Sequence, residues 1–179
     1  KSDASKDDEK NYQEATYKLA FLEYENNNFD PILNFINNNP NSDFTYQALQ
    51  SLLRYYRGQL DTISELKYYK KLIDFFPANS SALNSYGWRM SELEINLEDA
   101  LEKTQLAINL SADNPNAQAN IIDTKAEILW KLGKIQEAVN AIEKAIKINT
   151  ELRNISQKSE THKNLINYSK ICGEKSFRI

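Results

Sequence analysis

LEDALEKTQLAINL at Leu97–Leu110 and IQEAVNAIEKAIKI at Ile135–Ile148 decide the fold, because the second is nearly the first moved on by 38 residues. Leu97 aligns with Ile135, Ala100 with Ala138, Leu101 with Val139, Ala107 with Ala145, Ile108 with Ile146 and Leu110 with Ile148. A period of this size, with helical apolar spacing on both sides of a short turn, marks stacked helix–turn–helix units. Residues 80–150 are therefore expected to form an α-helical repeat, and the rest of the chain is read outward from it.

Within that repeat, Asn79 or Ser80 caps a helix through Leu93, and Asn96 caps its partner to about Leu110. After Asn114-Pro115 a helix runs to Leu132, where Gly133 stops it, and its partner continues to about Asn149. Toward the N-terminus, Ser42 or Asp43 caps a helix carrying Leu49, Leu52, Leu53 and Tyr56, with Gly58 as its C-terminal glycine. Thr62 and Glu65 have capping-box spacing, opening a helix with Leu66, Tyr69, Leu72 and Ile73 inward that stops near Phe76-Pro77. Asp30 as N-cap with Pro31 in the first turn starts a short helix burying Ile32, Phe35 and Ile36, closed by Asn37-Asn38-Asn39-Pro40. Before it, Tyr12, Ala15, Leu19, Leu22 and Tyr17, Ala20, Phe21, Tyr24 recur at threes and fours from Asn11 to about Asn26. Lys1–Lys10 is small, charged and without periodicity, and reads as a linker or disordered tail.

The totals agree with helices. The chain has four glycines and four prolines, and on this reading only Gly87 falls inside a helix rather than at a boundary. A net charge of −3 and a pI near 5.3 argue against a general binder of nucleic-acid backbone. No apolar run approaches the roughly 18–20 residues needed to span a bilayer. The single cysteine, Cys172, excludes an intramolecular disulfide and a Cys-x-x-Cys centre but does not fix a compartment. A chain opening on Lys1 is expected to be a processed product or a fragment whose targeting segment has been removed. On that expectation the location is cytoplasmic or, after loss of a signal peptide, periplasmic or secreted.

The residues then carry a family resemblance. Leu83-x2-Tyr86-Gly87-x2-Met90 with Ala100-x3-Thr104-x2-Ala107 resembles the tetratricopeptide repeat (TPR) pattern. Ile122-x2-Lys125-Ala126-x2-Leu129 with Ala138-x3-Ile142-x2-Ala145 is a second copy, and Leu49-x2-Leu52-Leu53-x2-Tyr56 with Tyr69 and Leu72-x4-Pro77 a weaker third. Small residues let the helices approach, and Gly87, which costs about 1 kcal/mol against alanine inside a helix, is expected to sit at a close crossing. Glu65 and Leu72 stand where small residues are usual, so that pair is expected to pack more loosely, and Thr104 is polar where an aromatic is usual. The resemblance implies an all-α fold, a right-handed α-solenoid of about four hairpins over 11–40, 41–79, 80–115 and 116–150. Residues 151–179 would close it, with a capping helix over roughly Ser159–Cys172 and a frayed end at Lys175–Ile179.

No chemistry is expected of these residues. His162 and Cys172 would lie roughly 15 Å apart along one helix, and no oxyanion-hole motif accompanies them. Glu92/Glu94 and Glu98/Asp99 flank a helix start, where carboxylates favour the dipole. A phosphate-binding glycine loop and a clustered metal set are both missing, so no catalytic residue, metal or cofactor is expected.

Binding is the alternative to chemistry. In TPR stacks the first helix of each pair lines a concave groove. On this sequence the resemblance assigns that face Gln47, Gln50, Arg54 and Arg57, then Asn84, Trp88 and Ser91, then Asn120, Asp123, Glu127 and Trp130. Trp88 and Trp130 either line the groove or fill gaps between repeats; tryptophan and arginine are common interface anchors. Asn84 lacks the lysines of the carboxylate-clamp TPRs, so that function is not carried over. The expectation is a non-enzymatic scaffold binding a protein or peptide of mixed charge, possible membership of a larger complex included, without nucleic acid or membrane insertion. A second reading makes the chain the helical appendage of a larger enzyme. Ile122–Gly133, preceded by Asn84–Trp88, resembles TPR tails of bacterial thioredoxin-like proteins, whose catalytic domain would precede Lys1. Single-stranded RNA binding is disfavoured by the acidic charge.

Overall fold

A computed structural model of the protein describes residues 2–152, which form eight helices and no strand. They are α1 (Ser2–Glu25), α2 (Asp30–Asn38), α3 (Asp43–Gly58), α4 (Thr62–Phe75), α5 (Ser80–Leu93), α6 (Leu97–Leu110), α7 (Pro115–Lys131) and α8 (Ile135–Leu152). The capping helix expected at Ser159–Cys172, with His162, Cys172 and the end at Lys175–Ile179, lies outside the described residues. The chain divides into two compact units, the first ending at Pro77 and the second beginning at Ala78.

In the first unit α1 pairs with α2 and α3 with α4, and α3 also touches both helices of the preceding hairpin. The segment expected as a linker is helical: α1 begins at Ser2, not Asn11. Its residues 7–10 are exposed and carry neither glycine nor proline, so helix propagates outward from the packed part. The core of this unit is aliphatic at its centre, with Ile32, Ile36, Leu49, Leu52 and Leu72 fully buried, and aromatic rings surround it. Tyr17 lies between Phe35 and Phe44, at 5.7 and 5.4 Å between ring centroids, and Tyr56 stacks on Tyr68 at 5.3 Å. Tyr24 packs edge-on to Phe29 and donates its hydroxyl to the Ser51 carbonyl at 3.1 Å. Helix α4 is rotated from the expected face: Glu65, Tyr68, Tyr69 and Leu72 are its buried residues, with Leu66 and Ile73 only half-buried.

In the second unit α5 pairs with α6 and α7 with α8, and α7 packs against both α5 and α6. Small residues stand at the crossings: Ala82, Ala100, Ala107, Ala126, Ala138 and Ala145 are all at most 3% exposed. Gly87 is one of them for a steric reason, since a Cβ there would collide with Thr104 Oγ1. Ile128 Cδ1 and the Ala100 carbonyl would each lie 3.5 Å from that Cβ, an ordinary contact. Thr104 is itself fully buried, and its hydroxyl has no hydrogen-bond partner.

The caps refine the sequence reading. Ser42 caps α3 by accepting from Phe44 N, and Asn79 caps α5 by accepting from Ala82 N. Asp61, not Thr62, caps α4, accepting from Ser64 N at 3.1 Å, and Glu65 turns inward instead of closing a capping box. Phe29, not Asp30, is the N-cap of α2, and Asn96 caps α6 with no side-chain bond. The first helix of every hairpin ends the same way. Asn27, Leu60, Glu94 and Gly133 all have positive φ. At each, the amide bonds the carbonyl three residues back and the next amide bonds five back, as in Gly133 to Trp130 and Lys134 to Leu129. That is the Schellman ending, which favours glycine, yet three of the four joints hold other residues. Gly58, expected as a C-terminal glycine, is the last helical residue of α3, and Leu60 takes the left-handed turn.

Candidate functional site

The residues assigned to a binding face fall into two sets, one in each unit. Gln47, Gln50, Arg54 and Arg57 lie on α3, in the first unit. Gln47, Arg54 and Arg57 are exposed and Gln50 is half-buried. These four follow at threes and fours, which puts them along one side of α3. Arg54 donates to Ser51 Oγ at 3.4 Å, a bond that steadies the guanidinium near the Tyr24 contact.

The other seven lie on α5 and α7, which are in contact within the second unit. Trp88 is 37% exposed, a large apolar surface for a residue in a packed hairpin. Trp130 is half-buried, with Lys131 Nζ 4.6 Å from its ring centroid. The same ammonium lies 2.6 Å from Glu94 Oε1, tying the end of α7 to the end of α5. The sequence reading missed Lys131 and Glu94, because a pair joining two helix ends leaves no periodic signal. Ser91 is corrected: it is fully buried and donates to the Trp88 carbonyl at 2.7 Å, so it serves the helix and does not face a partner. Asn120 is exposed.

Asp123 and Glu127 carry the electrostatics of this face. Four residues apart on α7, they share one side of the helix, where like charges repel. Asp123 Oδ1, Glu127 Oε2 and, on α5, Asn84 Oδ1 are each sealed from solvent without a hydrogen-bond partner. Burial, with the Glu127 charge second, pushes the Asp123 carboxyl up to about 6. Three acceptor atoms thus stand buried and unmatched, an arrangement that costs the folded state and would be relieved by a donor or a cation.

Among the described residues, no three His, Cys, Asp or Glu side chains are grouped to hold a metal, and no helix is long and apolar enough to cross a membrane. No protein-family model matches the chain, and no curated protein is detectably similar to it.

Proposed function

We propose that the protein is a non-enzymatic scaffold of the TPR kind, and that the α5–α7 face of its second unit takes a segment of another polypeptide bearing lysine or arginine. The observation that carries this reading is the unmatched acceptor set. Natural folds rarely leave a buried carboxylate oxygen without a donor, and here two occur one helical turn apart. A basic side chain supplies both the donors and the charge they lack. Trp88, one turn beyond Asn84 on α5, offers the stem of such a residue an apolar and cation–π surface. On α3 of the first unit, taken by itself, Arg54 and Arg57 would favour acidic residues in the same manner.

The test is a peptide array screened with the full chain, with tryptophan fluorescence following each hit in solution. Peptides containing lysine or arginine should bind, and replacing those residues by alanine should abolish the signal. Asp123→Asn and Trp88→Ala should each weaken binding by about tenfold or more while helicity is unchanged. Equal binding of neutral and acidic peptides, or two variants with unaltered affinity, would overturn the assignment.

A further inference from the structure

Helix α1 carries two apolar stripes, and the first unit uses one of them. Ala20 is buried and Tyr17, Phe21 and Tyr24 are half-buried, whereas Ala15 on the other side is exposed. Tyr12, Leu19 and Leu22 share that outer side, at 69%, 67% and 56% exposure. Tyr12, Ala15, Leu19 and Leu22 follow at three, four and three residues, the a/d spacing of a coiled-coil seam. The seam borders a depression. Thr16, Leu19 and Glu23 of α1 face Asn34, Phe35 and Asn38 of α2 across an open groove of about 460 Å³.

We infer that this seam pairs with the same seam of a second copy of the chain, with the two α1 helices parallel. The charges beside the seam select that occupant. Lys18 precedes Leu19 and Glu23 follows Leu22, which places them at the g and e positions that meet across a parallel pair. Twofold symmetry then forms the Lys18–Glu23 pair twice. An antiparallel copy would instead set Lys18 against Lys18 and Glu9 against Glu23. Both groups are ready for the contact. The Lys18 side chain is 68% exposed and pairs with Glu14 of its own helix at 2.6 Å, a surface contact that is readily exchanged. Glu23 Oε2 accepts from Asn28 Nδ2 at 3.1 Å, which holds the carboxylate in place. Ala15 in the middle of the seam lets the two helices approach, and the leucines beyond it close the contact. Tyr12 to Leu22 spans only about 15 Å of helix, so the pairing is a weak one.

Sedimentation velocity of the full chain across a concentration series tests this. A monomer–dimer equilibrium is expected, and Leu19→Glu with Leu22→Glu should leave a monomer of unchanged far-ultraviolet circular dichroism, since both residues are exposed. Lys18→Glu alone and Glu23→Lys alone should each raise the dissociation constant roughly tenfold, about the effect of turning two exposed ion pairs repulsive. Combining the two changes in one chain, or mixing the two single variants, should restore the dimer. A monomer at every concentration would overturn the inference, with the seam then covered by something other than a second copy. So would a dimer that survives the two glutamates, or charge reversal that the double variant does not rescue.

Discussion

The two units differ in what surrounds their buried aliphatic side chains. In the first unit ring–ring contacts run from Tyr17 to Phe76. The second unit places alanine and Gly87 at its crossings. Large rings hold backbones apart and cover area, while small residues bring backbones together and leave little room for change. The contrast predicts opposite sensitivities: the first unit should be hurt by deletion and the second by addition.

The largest effect should come from deletion. Phe35 is 3% exposed and meets the Tyr17 ring, so Phe35→Ala should cost about 3–5 kcal/mol, read from urea unfolding followed by circular dichroism. A loss below that of an ordinary surface substitution would erase the contrast on the first unit's side. Next comes Asp123. Its pKa rises from 3.8 unfolded to about 6 folded, so the native state holds the proton more tightly. Stability therefore falls as pH rises from about 4 to 6 and stays lowered above that window, by the order of 2 kcal/mol. Asp123→Asn should recover that amount at pH 7.5 and nothing at pH 4, measured by chemical unfolding at both.

Addition is the third case. Gly87→Ala should cost about 1–2 kcal/mol, the collision with Thr104 outweighing the gain in helix propensity. Thr104→Ala in the same chain should recover most of it, and a double-mutant cycle measures the coupling. Trp88 and Trp130 both lie in the second unit, so their fluorescence reports its unfolding. The smallest effect is a gain. Leu60 is 88% exposed at φ 58, and Leu60→Gly should stabilise the first unit by about 1 kcal/mol in thermal unfolding.

The same contrast explains what could be read from the sequence. Leu97–Leu110 was legible to the residue because its apolar spacing is repeated by Ile135–Ile148 and punctuated by Gly133. The first unit was less legible, since aromatic residues stand on both sides of α1 and periodicity alone does not say which side is covered. Glu65 was misread as a capping group because burying a charge runs against composition, and the tertiary contacts that admit it are not local. On the candidate face, the helix that carries Asp123 and Glu127 followed from periodicity, while their place on a binding face came only from the TPR resemblance. Their sealed, unmatched oxygens followed from neither, because desolvation is set by neighbours distant in sequence. Ser91 lies on α5 where periodicity put it, yet it is buried and bonded to the Trp88 carbonyl.

The four left-handed joints at Asn27, Leu60, Glu94 and Gly133 follow one another at 33, 34 and 39 residues. What recurs along the described residues is therefore a bend, while the side chains packed between bends differ. A stretch cut from one bend to the next removes a complete pair of helices and leaves two ends of matching handedness. The reversal of the chain at each joint is thus carried by the backbone itself, whichever side chain stands there.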